Sequence, residues 1–160
     1  MSAAEWQAIS IERTAHRVAH WVEQTSPERF HWTPAGLDGE TGRSVSDMAW
    51  EVIVLNFALA KVLAGEQPPW PPEEPAGNNS ASVGETAAAL RESARAAAAS
   101  VRNLGMDDLE KTFSLGQRSM PGAMLCSLIH NHIMYHGGQI CYIQTLYGDK
   151  TFSFPPEEFT

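Results

Sequence analysis

The sequence is short of cysteine, with two, and short of positive charge, with 11 Lys and Arg against 19 Asp and Glu. It also lacks any long apolar run. Each shortage excludes something. A net charge of −8 leaves no basic footprint, so neither nucleic acid nor an anionic membrane surface is an expected partner. The longest apolar stretches, Val52 to Leu55 and Phe57 to Ala60, are interrupted by Asn56 and end at Lys61. That is far below the ~20 residues needed to cross a bilayer. No basic N-terminus leads into an apolar segment, so no secretory signal is expected and the chain reads as soluble and cytoplasmic. Cys126 and Cys141 fall within one helical pattern. At ~1.5 Å rise per residue they are roughly 22 Å apart, beyond the ~7 Å a disulfide tolerates. They read as reduced, small apolar residues. No nucleophilic serine motif, phosphate loop or dinucleotide fingerprint is present.

What is there suits one compact unit. The chain has 160 residues, 43% apolar and 19% charged, so residues 1–160 are expected to form a single domain with a sizeable core. Four segments carry helical periodicity. The first runs from about Ala3 to Gln24, anchored by Trp6, Ile9, Ile11, Val18, Trp21 and Val22, and Ser26-Pro27 ends it. A loop punctuated by Pro34, Gly36, Gly39 and Gly42 follows, with Trp32 expected to tuck it onto the core. The second helix opens at Ser44 as N-cap, with Asp47 three residues on and a stripe of Met48, Val52, Leu55, Leu59 and Val62, and closes at Gly65. A proline-rich crossover over 66–80 (Pro68, Pro69, Pro71, Pro72, Pro75, then Gly77, Asn78 and Asn79) carries Trp70 as an anchor. The third helix, about Ser82 to Asn103, is alanine-rich, with Leu90, Ala94, Ala97, Val101 and Leu104 inward and Gly105 at C′. Residues 106–118 read as an irregular link in which Phe113 and Leu115 make a short extended piece. The fourth helix is expected from Ser119 as N-cap, with Pro121 in its first turn, to Gly148. Its expected inward stripe is Leu125, Leu128, His132, Tyr135, Gln139, Ile143 and Leu146. The tail beyond Asp149 is expected along the surface. The predicted fold is all-α: a four-helix bundle with long crossover loops.

The chemistry gathers on the last helix. His132 and His136 are four apart and so share one helix face, where two imidazoles can grip one metal ion. A third ligand is offered by Glu51, which borders the apolar stripe of the second helix, with Asp47 one turn earlier. A carboxylate turned toward a core needs a partner, and the histidines supply one. Two imidazoles and a carboxylate with a position left for water suit Zn²⁺, Ni²⁺, Fe²⁺ or Mn²⁺. The alternative is an ion pair between Glu51 and a protonated His132 or His136. His16 and His20 share the same spacing but read as a solvated pair. His31 and His130 have no second element pointing to them. Trp70, Phe113 and Arg118 are candidates to wall a pocket, with Arg118 meeting an anionic substrate group, and Tyr135 and Gln139 are further candidates for substrate contact.

The run N-H-I-M-Y-H-G-G-Q-I over 131–140 resembles the signature N-H-x-x-x-H-R-G-Q of the DinB-like four-helix-bundle family. Gly148 matches the glycine that usually ends that helix, and Ser44 to Glu51 is similar to the opening of the family's second helix. The resemblance covers most of the chain. It implies a metal site of three histidines, one on the second helix and two on the last, and a frequent homodimer. It also implies, for some members, a thiol-dependent S-transferase or isomerase activity using mycothiol, bacillithiol or glutathione. The chain departs at two places: Glu51 stands at the second-helix histidine and Gly137 at the arginine. The carboxylate favours a harder ion, and the glycine removes a cation.

Two classes of function follow. In the first, a divalent metal at Glu51, His132 and His136 activates a low-molecular-weight thiol or water toward a small-molecule substrate, giving a thiol S-transferase or a hydrolase. In the second, the chain is a non-catalytic small-molecule-binding or stress-related dimeric bundle with a decayed metal site.

Overall fold

The computed structural model describes residues 1–35, 42–73, 81–151 and 153–156. Gly36, Gly39, Pro75, Gly77, Asn78, Asn79 and the last four residues of the tail lie outside the described residues.

Four long helices carry the fold: α1 (Ala3–Glu23), α2 (Val45–Leu63), α3 (Val83–Arg102) and α5 (Gly122–Leu146). A five-residue helix, α4 (Met106–Glu110), and a hairpin of β1 (Thr112–Leu115) and β2 (Arg118–Pro121) lie between α3 and α5. Each of α1 and α2 packs against both α3 and α5. Consecutive helices α1 and α2 are therefore diagonal across the bundle, which is why their link has to be long. The all-α bundle is as the periodicities predict.

Helix starts follow local chemistry. Ser2 accepts from the Glu5 N–H at 3.0 Å. Ser44 and Asp47 form a reciprocal capping box, and so do Ser82 and Glu85. This occupies the Asp47 carboxylate, so Asp47 is a helix cap and not a further acidic ligand. α1 and α3 pack together, and both bury small residues: Ala8, Ala15 and Ala19 on α1, Ala87, Ala94 and Ala97 on α3. Small side chains let the two helices approach closely.

Three expectations on the path into the last helix are corrected. Gly105 does not end α3 in a left-handed cap; it is the extended N-cap of α4 and its N–H donates to Asp108. Residues 106–118 are regular, since they hold α4, all of β1 and the start of β2. Ser119 is not a helix cap, because Ser119 and Met120 pair with Ser114 and Phe113 in the hairpin. Met120 precedes Pro121 and is biased away from helical geometry, so strand pairing wins and α5 starts at Gly122.

The inward faces of α1 and α5 also differ from expectation. Trp6 is 57% exposed, Tyr135 is 63% exposed, and Leu146 is exposed too. The buried residues of α5 include Leu125, Ile129, Ile133, His136, Gly137, Ile140 and Ile143. The reason is compositional. α5 contains no Asp, Glu, Lys or Arg, so no charged face marks its phase. Trp32 does pack, edge-on, against Tyr147 at 5.7 Å.

Candidate metal centre

Helices α2 and α5 run side by side, and their facing side chains build the site. Glu51 lies two turns into α2. His132 and His136, one turn apart, lie midway along α5, with rings at 72° and centroids 4.5 Å apart. Their Nε2 atoms are 3.1 Å apart, and each is 3.5 Å from Glu51 Oε1. The His136 side chain is 3% exposed, whereas Glu51 is 38% exposed, so the cluster opens on the Glu51 side. Among the described residues this is the one group of three His, Cys, Asp or Glu with ligand atoms within 4.8 Å of one another.

The opposite oxygen, Oε2, hydrogen-bonds to Nη1 of Arg43, and Nη2 of Arg43 donates to the Asp47 carbonyl at 3.1 Å. Arg43 thus folds back along the first turns of α2 and holds the carboxylate with Oε1 toward the histidines. Burial raises the Glu51 pKa, but the Arg43 hydrogen bond and the charges of His136 and Arg43 outweigh it, so the group ionises below its ordinary value. Burial pushes His132 and His136 below the ordinary imidazole value despite the opposing pull of Glu51. At neutral pH the site is two neutral imidazoles and one carboxylate.

These donors fit a divalent ion. A triangle with sides of 3.1, 3.5 and 3.5 Å has its centre about 2 Å from each corner, close to the ~2.0–2.2 Å of zinc–imidazole and zinc–carboxylate bonds. Without a cation, the two imidazoles can share only one proton, and Glu51 Oε1 is left beyond ordinary hydrogen-bond length of both. The ion-pair alternative needs a protonated imidazole, which burial opposes. Both Nδ1 atoms are buried and have no hydrogen-bond partner, so no carboxylate or carbonyl fixes these rings from behind. Packing orients them instead, with the Tyr135 ring edge-on to His136 at 5.0 Å.

The other expected site residues divide. Gln139 is half-buried beside His136, where its side chain favours the protonated ring, although its Oε1 is buried without a well-formed hydrogen bond. Tyr135 touches His136 but points mostly to solvent. Arg118 is exposed in β2 and lines none of the cavities described here. Phe113 is buried in β1 and borders a separate polar cavity. Trp70 lies on the Glu51 side: a cavity of about 310 Å³ is lined by Glu51, Val54, Leu55, Trp70, Pro71 and Pro72, and reaches Glu51 but neither histidine. A larger one, about 370 Å³, lies across Val54 and Pro72 and includes none of the three donors. The pair His16 and His20 is not free in solvent. Arg91 Nε donates to His16 Nδ1 at 3.3 Å, and His20 lies 3.0 Å from the Ser153 hydroxyl.

Gly137, where the family pattern has arginine, is buried against α1. A Cβ there would lie 2.6 Å from Val18 Cγ2 and 3.1 Å from Trp21. Any larger residue would have to displace Val18, so the close α1–α5 contact favours glycine. The cation at this site is Arg43, which reading by helix phase missed because it lies outside α2. Its one signal is its place just before an N-cap, from which a long side chain reaches the first two turns.

The family model described as the DinB superfamily matches residues 10–140. No curated protein matches the chain in sequence. The fold is similar to that of a DinB-like protein from Bacillus subtilis, with a TM-score of 0.67 at 15% identity, over 94% of this chain and 99% of that one. It is also similar to a DinB-like protein from Bacillus cereus, with a TM-score of 0.63 at 15% identity, over 89% of each chain. At such identity the likeness is one of fold.

Proposed function

The chain belongs to the DinB superfamily, and from that premise we propose that it is a divalent-metal protein that activates a small thiol or water toward an electrophilic small molecule. The observation that carries this reading is the convergence of Glu51 Oε1 and the Nε2 atoms of His132 and His136, where burial favours neutral imidazoles and Arg43 an ionised carboxylate. An ion bound there supplies Lewis acidity, which lowers the pKa of a coordinated thiol or water. The protein's own part is to present three donors on two packed helices. Arg43 offsets the carboxylate's charge and fixes its rotamer, and Val54, Leu55 and Trp70 wall the cavity on the open side. Thiol transfer is the preferred chemistry, since an apolar-walled opening favours a soft, weakly hydrated nucleophile. Hydrolysis is the competing outcome in an assay with and without added thiol. A cytoplasmic location belongs to this reading.

A second reading has its own support. Glu51 is already paired with Arg43, as a carboxylate in a bundle without metal would be. The deciding measurement is metal content and melting temperature. The metal reading expects about one equivalent bound, and a higher melting temperature on adding Zn²⁺, Ni²⁺ or Mn²⁺. Less than about half an equivalent and no thermal response leaves the non-catalytic bundle.

A homodimer is part of the proposal. α5 carries no formal charge over 25 residues, yet exposes Met124, Tyr135, Tyr142 and Leu146. Two copies of a chain with net charge −8 repel elsewhere, and this face brings no carboxylates together. Sedimentation is expected to show a dimer that Tyr142→Glu converts to monomer. A monomer at ~100 μM wild-type chain, a concentration at which a typical stable interface is saturated, sinks the dimer.

A further inference from the structure

The cavity beside Glu51 has a composition that selects its occupant. Of its six lining residues, Glu51 is the only charged one; Val54 and Leu55 form the α2 wall, and Trp70, Pro71 and Pro72 form the opposite wall. Its volume of about 310 Å³ is at the small end of the ~300–1,000 Å³ of ligand sites and has room for an aromatic ring with its substituents. No cationic side chain lines the cavity, so an anionic group would find no partner there. An aliphatic or aromatic group loses only water, and the indole of Trp70 offers a flat face to a ring.

Trp70 is held in place from outside the cavity. Gly116, at φ +61 in the β1–β2 turn, comes so close that a Cβ would lie 3.1 Å from Trp70 Cβ and 3.2 Å from Trp70 Cδ1. The hairpin tip therefore backs the tryptophan, and the absent side chain at 116 leaves the room it stands in. Three separate parts of the chain meet here: α2, the proline-rich crossover and the hairpin. None of this is needed to hold an ion.

We propose that the cavity between α2 and Trp70–Pro72 is the subsite for an uncharged aromatic group of the substrate, seated beside Glu51 with its polar head toward His132 and His136, and that Gly116 is a positioning residue for Trp70. The inference rests on the metal reading only for what the head group meets; the ring's place rests on the cavity itself. The substrate class is then a small aromatic electrophile, such as a benzyl or phenacyl compound, and not a charged metabolite.

The test compares two hydroxamates on zinc-loaded protein by calorimetry. Acetohydroxamate has a metal-binding head and no ring; benzohydroxamate has the same head and a phenyl group. Wild type is expected to bind benzohydroxamate about tenfold or more tighter, as burial of one ring predicts. In Trp70→Ala the ratio of the two affinities is expected to fall to within about twofold, an expectation drawn from loss of that burial. Gly116→Val, which forces a β-branched residue into a left-handed turn against Trp70, is expected to lower the ratio as well. Equal affinities in wild type, or a preference that survives Trp70→Ala, overturn the subsite. Protein that takes no zinc, or zinc-loaded protein that binds neither hydroxamate, overturns the metal reading instead. The cavity is then decided on the metal-free chain with benzyl alcohol. Saturation transfer by NMR that is present in wild type and lost in Trp70→Ala upholds it, and no transfer in wild type overturns it.

Discussion

The α1–α3 seam and the α2–α5 seam are built from the same helical bundle by opposite rules. Along α1–α3, alanines bring the helices together and charged side chains clamp the rim. Arg91 grips Glu23 with two hydrogen bonds of 2.6 and 2.8 Å, and Arg102 does the same to Glu12 at 2.8 and 2.6 Å. Along α2–α5, polar atoms are buried with nothing to bond. Of the eight buried side-chain atoms without a partner among the described residues, six lie on α2 or α5, one on α3 (Thr86) and none on α1; of the six, Asn56 faces α3, where its amide donates to Ser93. Buried unpaired polar groups cost stability, and three of them, on His132, His136 and Gln139, stand at the convergent donors, as the proposed metal site would explain.

The largest way to test this contrast is to remove a donor. With zinc at about a thousand times its Kd, wild type should gain about 4 kcal/mol of stability, and His136→Ala should gain none, as read from melting with and without metal. Equal gains would mean that the α2–α5 seam is no more than a packing surface. Next comes Gly137→Arg, whose side chain must displace Val18 and Trp21 where α1 meets α5. About 1–3 kcal/mol of destabilisation in urea unfolding is expected from overpacking, and a neutral change would show that this contact yields easily.

Arg43→Ala should weaken zinc binding by about 10–100-fold in a chelator competition, because Glu51 then turns freely into solvent. Unchanged affinity would place Arg43 outside the site. Acid should separate the two seams in metal-free protein. His132 and His136 have folded values below the unfolded ~6.5, so the unfolded chain binds protons that the native one refuses, and stability falls as pH drops below about 6.5. Glu23 is lowered by its hydrogen bond to Arg91, so its contribution holds above the unfolded ~4.3 and is lost only as pH falls through its depressed folded value. A single acid transition near pH 4 would contradict the difference. The smallest effect is expected from Arg102→Ala, within about 1 kcal/mol, since its ion pairs with Glu5 and Glu12 are partly exposed and screened.

Helix positions were readable wherever capping and charge marked them. Ser44 with Asp47 announces α2, and the stripe of Leu90, Ala94, Ala97 and Val101 sets the phase of α3. The phase of α5 is not readable, because a helix without charged residues gives little contrast between its faces, and Tyr135 and Leu146 are therefore expected inward. The hairpin was hidden for a different reason. Its strands are four residues each, and Ser119-Met120-Pro121 reads equally well as a helix start. The pairing of His132 with His136 follows from spacing alone, and Glu51 follows from the cost of turning a carboxylate toward a core. Arg43 and Trp70 lie in connections whose path no periodicity describes.

The sequence by itself determined that this chain is an all-α bundle with long crossovers, that its two cysteines stand too far apart along one helix to bridge, and which three side chains had the chemistry to meet. Those are consequences of helical period and local capping, which act over a few residues. Only the tertiary structure decided that the three donor atoms converge on a point about 2 Å from each, that Arg43 holds the carboxylate in place, and that Gly137 is favoured by the approach of α1. It also decided that the hairpin tip sets Trp70 against the open side. Each of these depends on contacts between segments distant in the chain, and such distances are settled by packing, not by local preference.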